Sequence, residues 1–362
     1  MERGFNLDAA VFTGFIDLAA EKFGGKALAC SDDFFAEMHN LLKPGRGVFI
    51  ADKYTEQGKW MDGWESRRKR VPGHDWCIIK LGQAGIIHGV DIDTNHFLGN
   101  HPPYASIDAL YLEGDVSVEK LQKADWTEIL PKSPLKQGSQ NIYAVAGVSA
   151  PWTHLRLNIY PDGGVARLKV FGTVHRNWRD MDPKVDVDLA AAENGGLVVA
   201  ANDMFFGNKN NMIMPGRGEN MGDGWETRRR RDLPGHDWAV IRLARPGLLK
   251  KIEVDTCHYK GNFPDACFID GCYAPSQDID ALNAHSFAWT PILPVTKLQA
   301  DHQHYFDKEL QNDGPWSHIR LSIVPDGGIS RFRAWCKVMS ESGSVHAGEE
   351  TDELKPYQQV KR

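Results

Sequence analysis

Along Leu155-Arg-Leu-Asn-Ile159 apolar and polar residues alternate, the period of a strand with one buried face. Pro161-Asp-Gly-Gly164 follows, a turn signal because glycine reaches positive φ without steric cost. Beyond it Ala166, Leu168 and Val170 alternate with Arg167 and Lys169, which predicts a hairpin. The pattern returns downstream: Ile319, Leu321 and Ile323, the turn Pro325-Asp-Gly-Gly328, then Phe332 and Ala334 against Arg331 and Arg333. Residues 76–81 and 238–243 read as short apolar strands, and Val90 and Ile92 as the end of another. Long amphipathic helical periodicity is sparse, and short helices are expected near residues 17–22 and 280–284. Many short strands separated by turns predict an all-β fold, a β-sandwich of jelly-roll type.

The strands belong to a larger repeat. Asp62-Gly-Trp-Glu-Ser-Arg-Arg-Lys-Arg70 recurs as Asp223-Gly-Trp-Glu-Thr-Arg-Arg-Arg-Arg231, identical at seven of nine positions. Pro72-Gly-His-Asp-Trp76 recurs unchanged as Pro234-Gly-His-Asp-Trp238. Asp93-Thr-Asn-His-Phe-Leu-Gly-Asn-His-Pro102 returns from Asp255, and the twenty residues from Pro151 return from Pro315. The offsets, 161, 162, 162 and 164, drift slowly, as expected for short loop changes on a retained scaffold. Asn40–Gly47 matches Asn211–Gly218 at offset 171, so the first copy carries a longer loop containing residues 51–60. A period of this length is a domain rather than a solenoid unit. The chain of 362 residues is therefore expected to hold two duplicated jelly-roll domains, residues 1–180 and 187–340. The linker lies within 176–183, and residues 341–362 form a polar C-terminal tail.

Composition narrows the partners. Forty-two basic against 48 acidic residues leave a net charge of −6, which argues against a protein that coats nucleic acid. No apolar run is long enough for a membrane span. Asp8, Asp17 and Glu21 interrupt any basic-then-apolar order of a signal peptide, so a cytoplasmic location is expected. Six cysteines without a Cys-x-x-Cys pair read as reduced, mostly buried thiols.

Three polar clusters recur. Glu65, Arg67 and Arg68 repeat as Glu226, Arg228 and Arg229, and an arginine fork matches a carboxylate bidentately. The plain reading is a charged loop braced by Arg–Glu pairs. His74-Asp75 repeats as His236-Asp237. Neighbouring side chains on a strand face opposite ways, so this pair is read as the start of a strand, with the histidine bonded to backbone. Asp93, His96 and Asn100 repeat as Asp255, His258 and Asn262 in a loop at a sheet rim, where structural, proton-transfer and metal-binding roles stay open. His154 and His318, beside Trp152 and Trp316, are expected to pack in the core. His101 stands opposite Phe263, and Asn95 opposite Cys257, so the copies are not equivalent.

Together, Asp-Gly-Trp-Glu-[ST]-Arg-Arg, Pro-Gly-His-Asp-Trp, Asp-Thr-x-His…Gly-Asn and Pro-Trp-x-His-x-Arg-Leu…Pro-Asp-Gly-Gly, each present twice, make the chain similar to the allantoicase family from about residue 17 to 340. The resemblance implies two jelly-roll domains similar to galactose-binding modules. It also implies hydrolysis of allantoate to ureidoglycolate and urea in purine (allantoin) degradation, which makes purine nitrogen available. That substrate demands a cation for its carboxylate, an acid for the departing urea, a base for water and amide-type partners for its ureido groups. Glu65, His96, Glu226 and His258 are candidates for proton transfer. Arg67, Arg68, Arg228 and Arg229 are candidates for the carboxylate, and Asn100 and Asn262 for the ureido groups. The sequence requires no cofactor; a divalent metal such as manganese is compatible, with its ligands unknown. Allantoate is the expected partner, in a homo-oligomer that binds neither nucleic acid nor membrane. The competing reading is a non-catalytic tandem jelly-roll module that holds a sugar or small anionic ligand, with tryptophans as stacking platforms.

Overall fold

The computed structural model describes residues 12–145, 149–179, 181–182, 184–232 and 234–339. The expected tail, 341–362, lies outside the described residues, as do positions 180 and 183 of the linker. Each repeat builds one eight-stranded antiparallel system. In the first the order is Ile16–Asp17, Arg167–Val174, Asp75–Asp93, Trp152–Tyr160, Tyr104–Leu110 and Thr127–Pro134. Lys26–Cys30 and Ile142–Ala144 also pair with Asp75–Asp93. The second repeat matches strand for strand: Val187–Asp188, Arg331–Val338, Asp237–Asp255, Trp316–Val324, Ala266–Cys272 and Thr290–Lys297. Leu197–Ala201 and Gln303–Phe306 join its long strand in the same way. The fold is all-β, two duplicated sandwiches of jelly-roll type.

The structure corrects two expectations. The short apolar strand at 76–81 and the strand ending at Val90 and Ile92 are two ends of one 19-residue strand, Asp75–Asp93. Gly82, Gly85 and Gly89 interrupt its hydrophobic period. At Gly85 a Cβ would meet Leu18 Cδ1 at 2.5 Å and the Thr173 carbonyl at 2.8 Å, so close packing rather than a turn requires glycine there. Asp237–Asp255 is its counterpart. The two strands flanking Pro-Asp-Gly-Gly do not form the expected hairpin. Trp152–Tyr160 pairs with the first half of the long strand, Ile159 opposite Asp75, whereas Arg167–Val174 pairs with the second half, Arg167 opposite Asp93. The turn therefore carries the chain across the sandwich.

Short helices are more numerous than the two expected segments, and most are single 3-10 turns such as Met38–Leu42 and Lys209–Ile213. Residues 17–22 give a strand end and the 3-10 turn Glu21–Phe23, and the 280–284 region gives Ala284–Ser286. A five-residue α-helix, Val118–Gln122, lies elsewhere, capped by the Ser117 side chain. The alternating residues face inward: Cys77, Ile79, Ile92, Leu155, Leu157 and Val170 are fully buried, as are Ile241, Val254, Leu321 and Phe332 in the second repeat. These belong to one hydrophobic core that runs through both repeats. Burying each large side chain contributes about 1.5–3 kcal/mol, the main force holding the sandwich. The repeats are also tied by Lys22 Nζ, 3.1 Å from Asp223 Oδ1 and 3.0 Å from Asn211 Oδ1. The extra loop of the first copy closes a small ribbon, Tyr54–Thr55 against Gly58–Lys59.

Candidate functional site

The recurring motifs meet at one rim of each sandwich. Trp64 and Trp225 are fully buried, and each indole N–H donates to a backbone carbonyl, of Asp32 or of Asp203, at 2.8 Å. They are anchors of the short strands Trp64–Glu65 and Trp225–Glu226 rather than stacking platforms. Those strands pair with Gly164–Val165 and Gly328–Ile329, directly after the Pro-Asp-Gly-Gly turn.

The turn holds every neighbouring motif in place. The Gly164 amide donates to the Asn100 carbonyl at 2.7 Å, and the Gly328 amide to the Asn262 carbonyl at 2.9 Å. The Ser66 amide donates to the Gly163 carbonyl, and the Lys69 amide to Asp162 Oδ2 at 2.8 Å. In the second repeat the Thr227 amide donates to the Gly327 carbonyl, and the Arg230 amide to Asp326 Oδ2 at 2.9 Å. Gly163 and Gly327 sit at φ 137 and 140, where a Cβ would lie 2.6 Å from the carbonyl of Asn100 or Asn262. Only glycine lets the turn approach this closely.

The result is an Asn–Glu pair in both repeats. Asn100 Nδ2 donates to Glu65 Oε1 at 2.7 Å, and Asn262 Nδ2 donates to Glu226 Oε1 at 2.5 Å. Burial pushes the Glu65 carboxyl above its ordinary range, while the Asn100 bond pulls it back in part. Each pair lines a cleft. The first, about 330 Å³, joins Glu65, His96 and Asn100 with Phe35, Met61 and Lys59. The second, about 340 Å³, joins Glu226, Asn262 and Arg229 with Phe206, Thr227 and Asp326.

Other candidates lie differently. Arg67 Nε donates to Asp32 Oδ2 at 2.7 Å and Arg228 Nε to Asp203 Oδ2 at 2.8 Å. Each guanidinium stacks on a phenylalanine, Phe34 or Phe205, and their partners' carboxyls are held below the usual range despite burial. Arg68 and Arg229 are exposed, and Arg229 reaches its repeat's cleft. His96 stands against Phe49, whereas His258 Nε2 lies 2.8 Å from the Gly218 carbonyl. Asp93 and Asp255 are fully buried and hold Arg46 at 2.7 Å and Arg217 at 3.0 Å, bracing the neighbouring Pro-Gly-Arg-Gly loops.

Asp75 and Asp237 start the long strands and accept hydrogen bonds from Lys69 and Arg230, at 2.6 and 2.7 Å. His74 and His236 pack on Tyr160 and Phe268. His154 and His318 sit in the core, where burial pushes each down to about 4 and keeps the ring neutral at pH 7. All six cysteines are free, five of them buried.

Asp32, Asp203 and the cleft-lining Phe35 and Phe206 lie outside the three clusters that sequence marks. Their signal is an ungapped match of residues 16–47 to 187–218 at offset 171, which repeats Asp17/Asp188, Asp32/Asp203 and Phe34-Phe35/Phe205-Phe206. Among the described residues, Cys257, His258 and Asp301 form a group whose side chains could hold a metal ion.

Comparison with known proteins supplies the context. The family model described as allantoicase repeat matches twice, at residues 16–175 and 187–339. A probable allantoicase of Burkholderia mallei is 50% identical over 321 residues, 89% of this chain and 94% of the relative. Allantoicase of Dictyostelium discoideum is 50% identical over 324 residues, 89% of this chain and 87% of that one. The crystal structure of allantoicase from Saccharomyces cerevisiae superposes with a TM-score of 0.76 at 34% identity, covering 91% of this chain and 96% of that one.

Proposed function

This chain belongs to the allantoicase family and hydrolyses allantoate to ureidoglycolate and urea, and we propose that the Asn-held glutamate of the rim cleft moves the protons of that reaction. The observation that carries the proposal is the Asn–Glu hydrogen bond, present in both repeats and lining a cleft in each.

Allantoate carries a carboxylate, a hydrogen and two ureido groups on one carbon. Urea leaves poorly unless the departing nitrogen gains a proton. A protonated glutamate supplies it as the carbon–nitrogen bond breaks, while the lone pair of the remaining ureido nitrogen forms a C=N bond to the carbon. The glutamate is now a carboxylate. It takes a proton from water as the water oxygen attacks that carbon and the C=N electrons return to nitrogen. Ureidoglycolate forms and the acid is restored, so one residue serves as acid and then as base. Burial of Glu65 favours the protonated form the first step needs. General acid–base catalysis of this kind contributes on the order of 10²–10⁴ in rate.

Arg229 receives the substrate carboxylate in this proposal, a role supported by its position in the lining of the second cleft. Asn100 and Asn262, with amide oxygens left over after bonding the glutamates, suit the N–H groups of a ureido group. His96 adds a second proton carrier to the first cleft. The test is turnover of Glu65→Gln and Glu226→Gln, alone and combined. A cytoplasmic location is part of the proposal, supported by the six free cysteines, and no helix among the described residues is long and apolar enough to cross a membrane. A homo-oligomer is also proposed, supported by the exposed Val48, Phe49, Ile50 and Tyr54 on the extra loop of the first copy.

A further inference from the structure

The Cys257, His258 and Asp301 side chains lie outside the lining of the second cleft, and one ligating atom from each falls within 4.8 Å of the others. We propose that these three side chains bind one divalent transition metal of the zinc class.

The histidine is set up as a ligand. His258 Nε2 lies 2.8 Å from the Gly218 carbonyl, so this nitrogen carries the proton and donates it. The lone pair is then on Nδ1. A backbone carbonyl that accepts the other ring N–H and so fixes the tautomer is the usual partner of a metal-bound histidine. The His258 amide donates to Asp301 Oδ1 at 2.7 Å, which holds the carboxylate beside the ring.

His258 sits at φ 71 and Asp301 at φ 50, and among the described residues only His96 joins them as a non-glycine in this region. In the first repeat the place of Asp301 is taken by Gly138, at φ 58. The equivalence is structural: the Gly138 amide donates to the Phe97 carbonyl and the Asp301 amide to the Tyr259 carbonyl. Glycine adopts this conformation freely, whereas aspartate does so at a cost. A carboxylate at a strained position where a glycine would serve points to a use for the side chain. The first repeat also has Asn95 where the second has Cys257, so it lacks two of the three ligands.

The donor set selects the metal. A thiolate and an imidazole favour zinc over manganese, which prefers oxygen ligands. Thiolate and carboxylate together balance a 2+ charge. Arg217 nearby is engaged with Asp255, and the exposed Lys260, 3.9 Å from Asp301 Oδ2, gives way to the ion. Three protein ligands leave a fourth position, which opens to solvent because Asp301 is exposed. The ion would tie the loop that carries Asn262 to the loop of Asp301.

Cobalt reads the site directly. The full-length protein is stripped with chelator and titrated with Co²⁺ in an optical cell, then with Zn²⁺. The proposal predicts one equivalent of cobalt with an intense thiolate-to-cobalt charge-transfer band, bleached by zinc, and a rise in melting temperature with zinc. Cys257→Ser abolishes the band. Asp301→Gly, which keeps the left-handed backbone, weakens cobalt binding at least tenfold. Adventitious binding to other histidines gives no thiolate band. A wild-type protein without the band, or a band that persists in Cys257→Ser, overturns the proposal. If Cys257→Ser does not fold, unchanged cobalt affinity in Asp301→Gly overturns it as well.

Discussion

Asn100 reaches Glu65 across 2.7 Å although 35 residues separate them, and the bond exists because the Gly164 amide holds the Asn100 backbone. Asn262 and Glu226 repeat the arrangement. The donor stabilises the carboxylate form, so its removal raises the pKa of the glutamate. Asn100→Ala is therefore expected to move the pH–rate profile of the first cleft toward higher pH and to lower kcat about tenfold. Asn262→Ala, which removes the matching hydrogen bond to Glu226, is expected to lower kcat of the second cleft by a similar factor. A pH–rate series on each variant checks both the direction and the size.

Arg228 and Arg229 are neighbours with different employment. Arg228 is paired with Asp203 and stacked on Phe205, whereas Arg229 lines the cleft. Arg229→Ala should raise KM for allantoate at least tenfold with a smaller change in kcat. Arg228→Ala leaves the half-buried Asp203 carboxylate without its arginine partner and should act mainly on stability. Steady-state kinetics beside urea denaturation separate the two effects.

The Pro-Asp-Gly-Gly turn should tolerate no Cβ at its first glycine. Gly163→Ala and Gly327→Ala each force a side chain onto the carbonyl of Asn100 or Asn262 at positive φ. A loss of about 1–3 kcal/mol is expected for each, together with reduced turnover where the Asn loop shifts. The denaturation midpoint and kcat of each variant test this.

Asp17 and Asp188 give a pH signature. Burial raises each to about 6, against backbone hydrogen bonds from Val170 and Ala334. A carboxyl raised on folding stabilises the fold fully below its unfolded value and loses that contribution as pH rises through about 6. These two groups therefore make the protein less stable at pH 7 than at pH 5. Asp17→Asn and Asp188→Asn keep an acceptor oxygen and remove the charge, so the denaturation midpoint should change less between these pH values. Asp32, Asp62 and Asp203, held low despite burial by arginine and backbone partners, and Asp223, held low by Arg331 and Lys22, act oppositely only at more acid pH.

Much of this was legible in the chain because duplication repeats the same physical solution. Alternating Leu155, Leu157 and Ile159 predicted a strand, and the strand is there. The long strand Asp75–Asp93 was not legible as one element, because glycines needed for close packing look like strand ends in sequence. The partners of Trp152–Tyr160 and Arg167–Val174 are not legible in sequence, because a Pro-Asp-Gly-Gly turn specifies a change of direction, not which strand receives the hydrogen bonds. At the site, Glu65, His96 and Asn100 were marked by recurrence. The engagement of Arg67 with Asp32 was not, since a pairing across 35 residues depends on the fold that brings the Asp32 loop over Trp64.

Turnover of the Glu65→Gln/Glu226→Gln double variant tests the central claim most directly. Each glutamine keeps the shape and an amide oxygen for Asn100 or Asn262 while losing the titrating proton. The proposal predicts that urea release from allantoate falls by about 10²–10⁴ in kcat, with the folded structure retained and the single variants showing how the two clefts share the activity. A double variant that releases urea at the wild-type rate would contradict it.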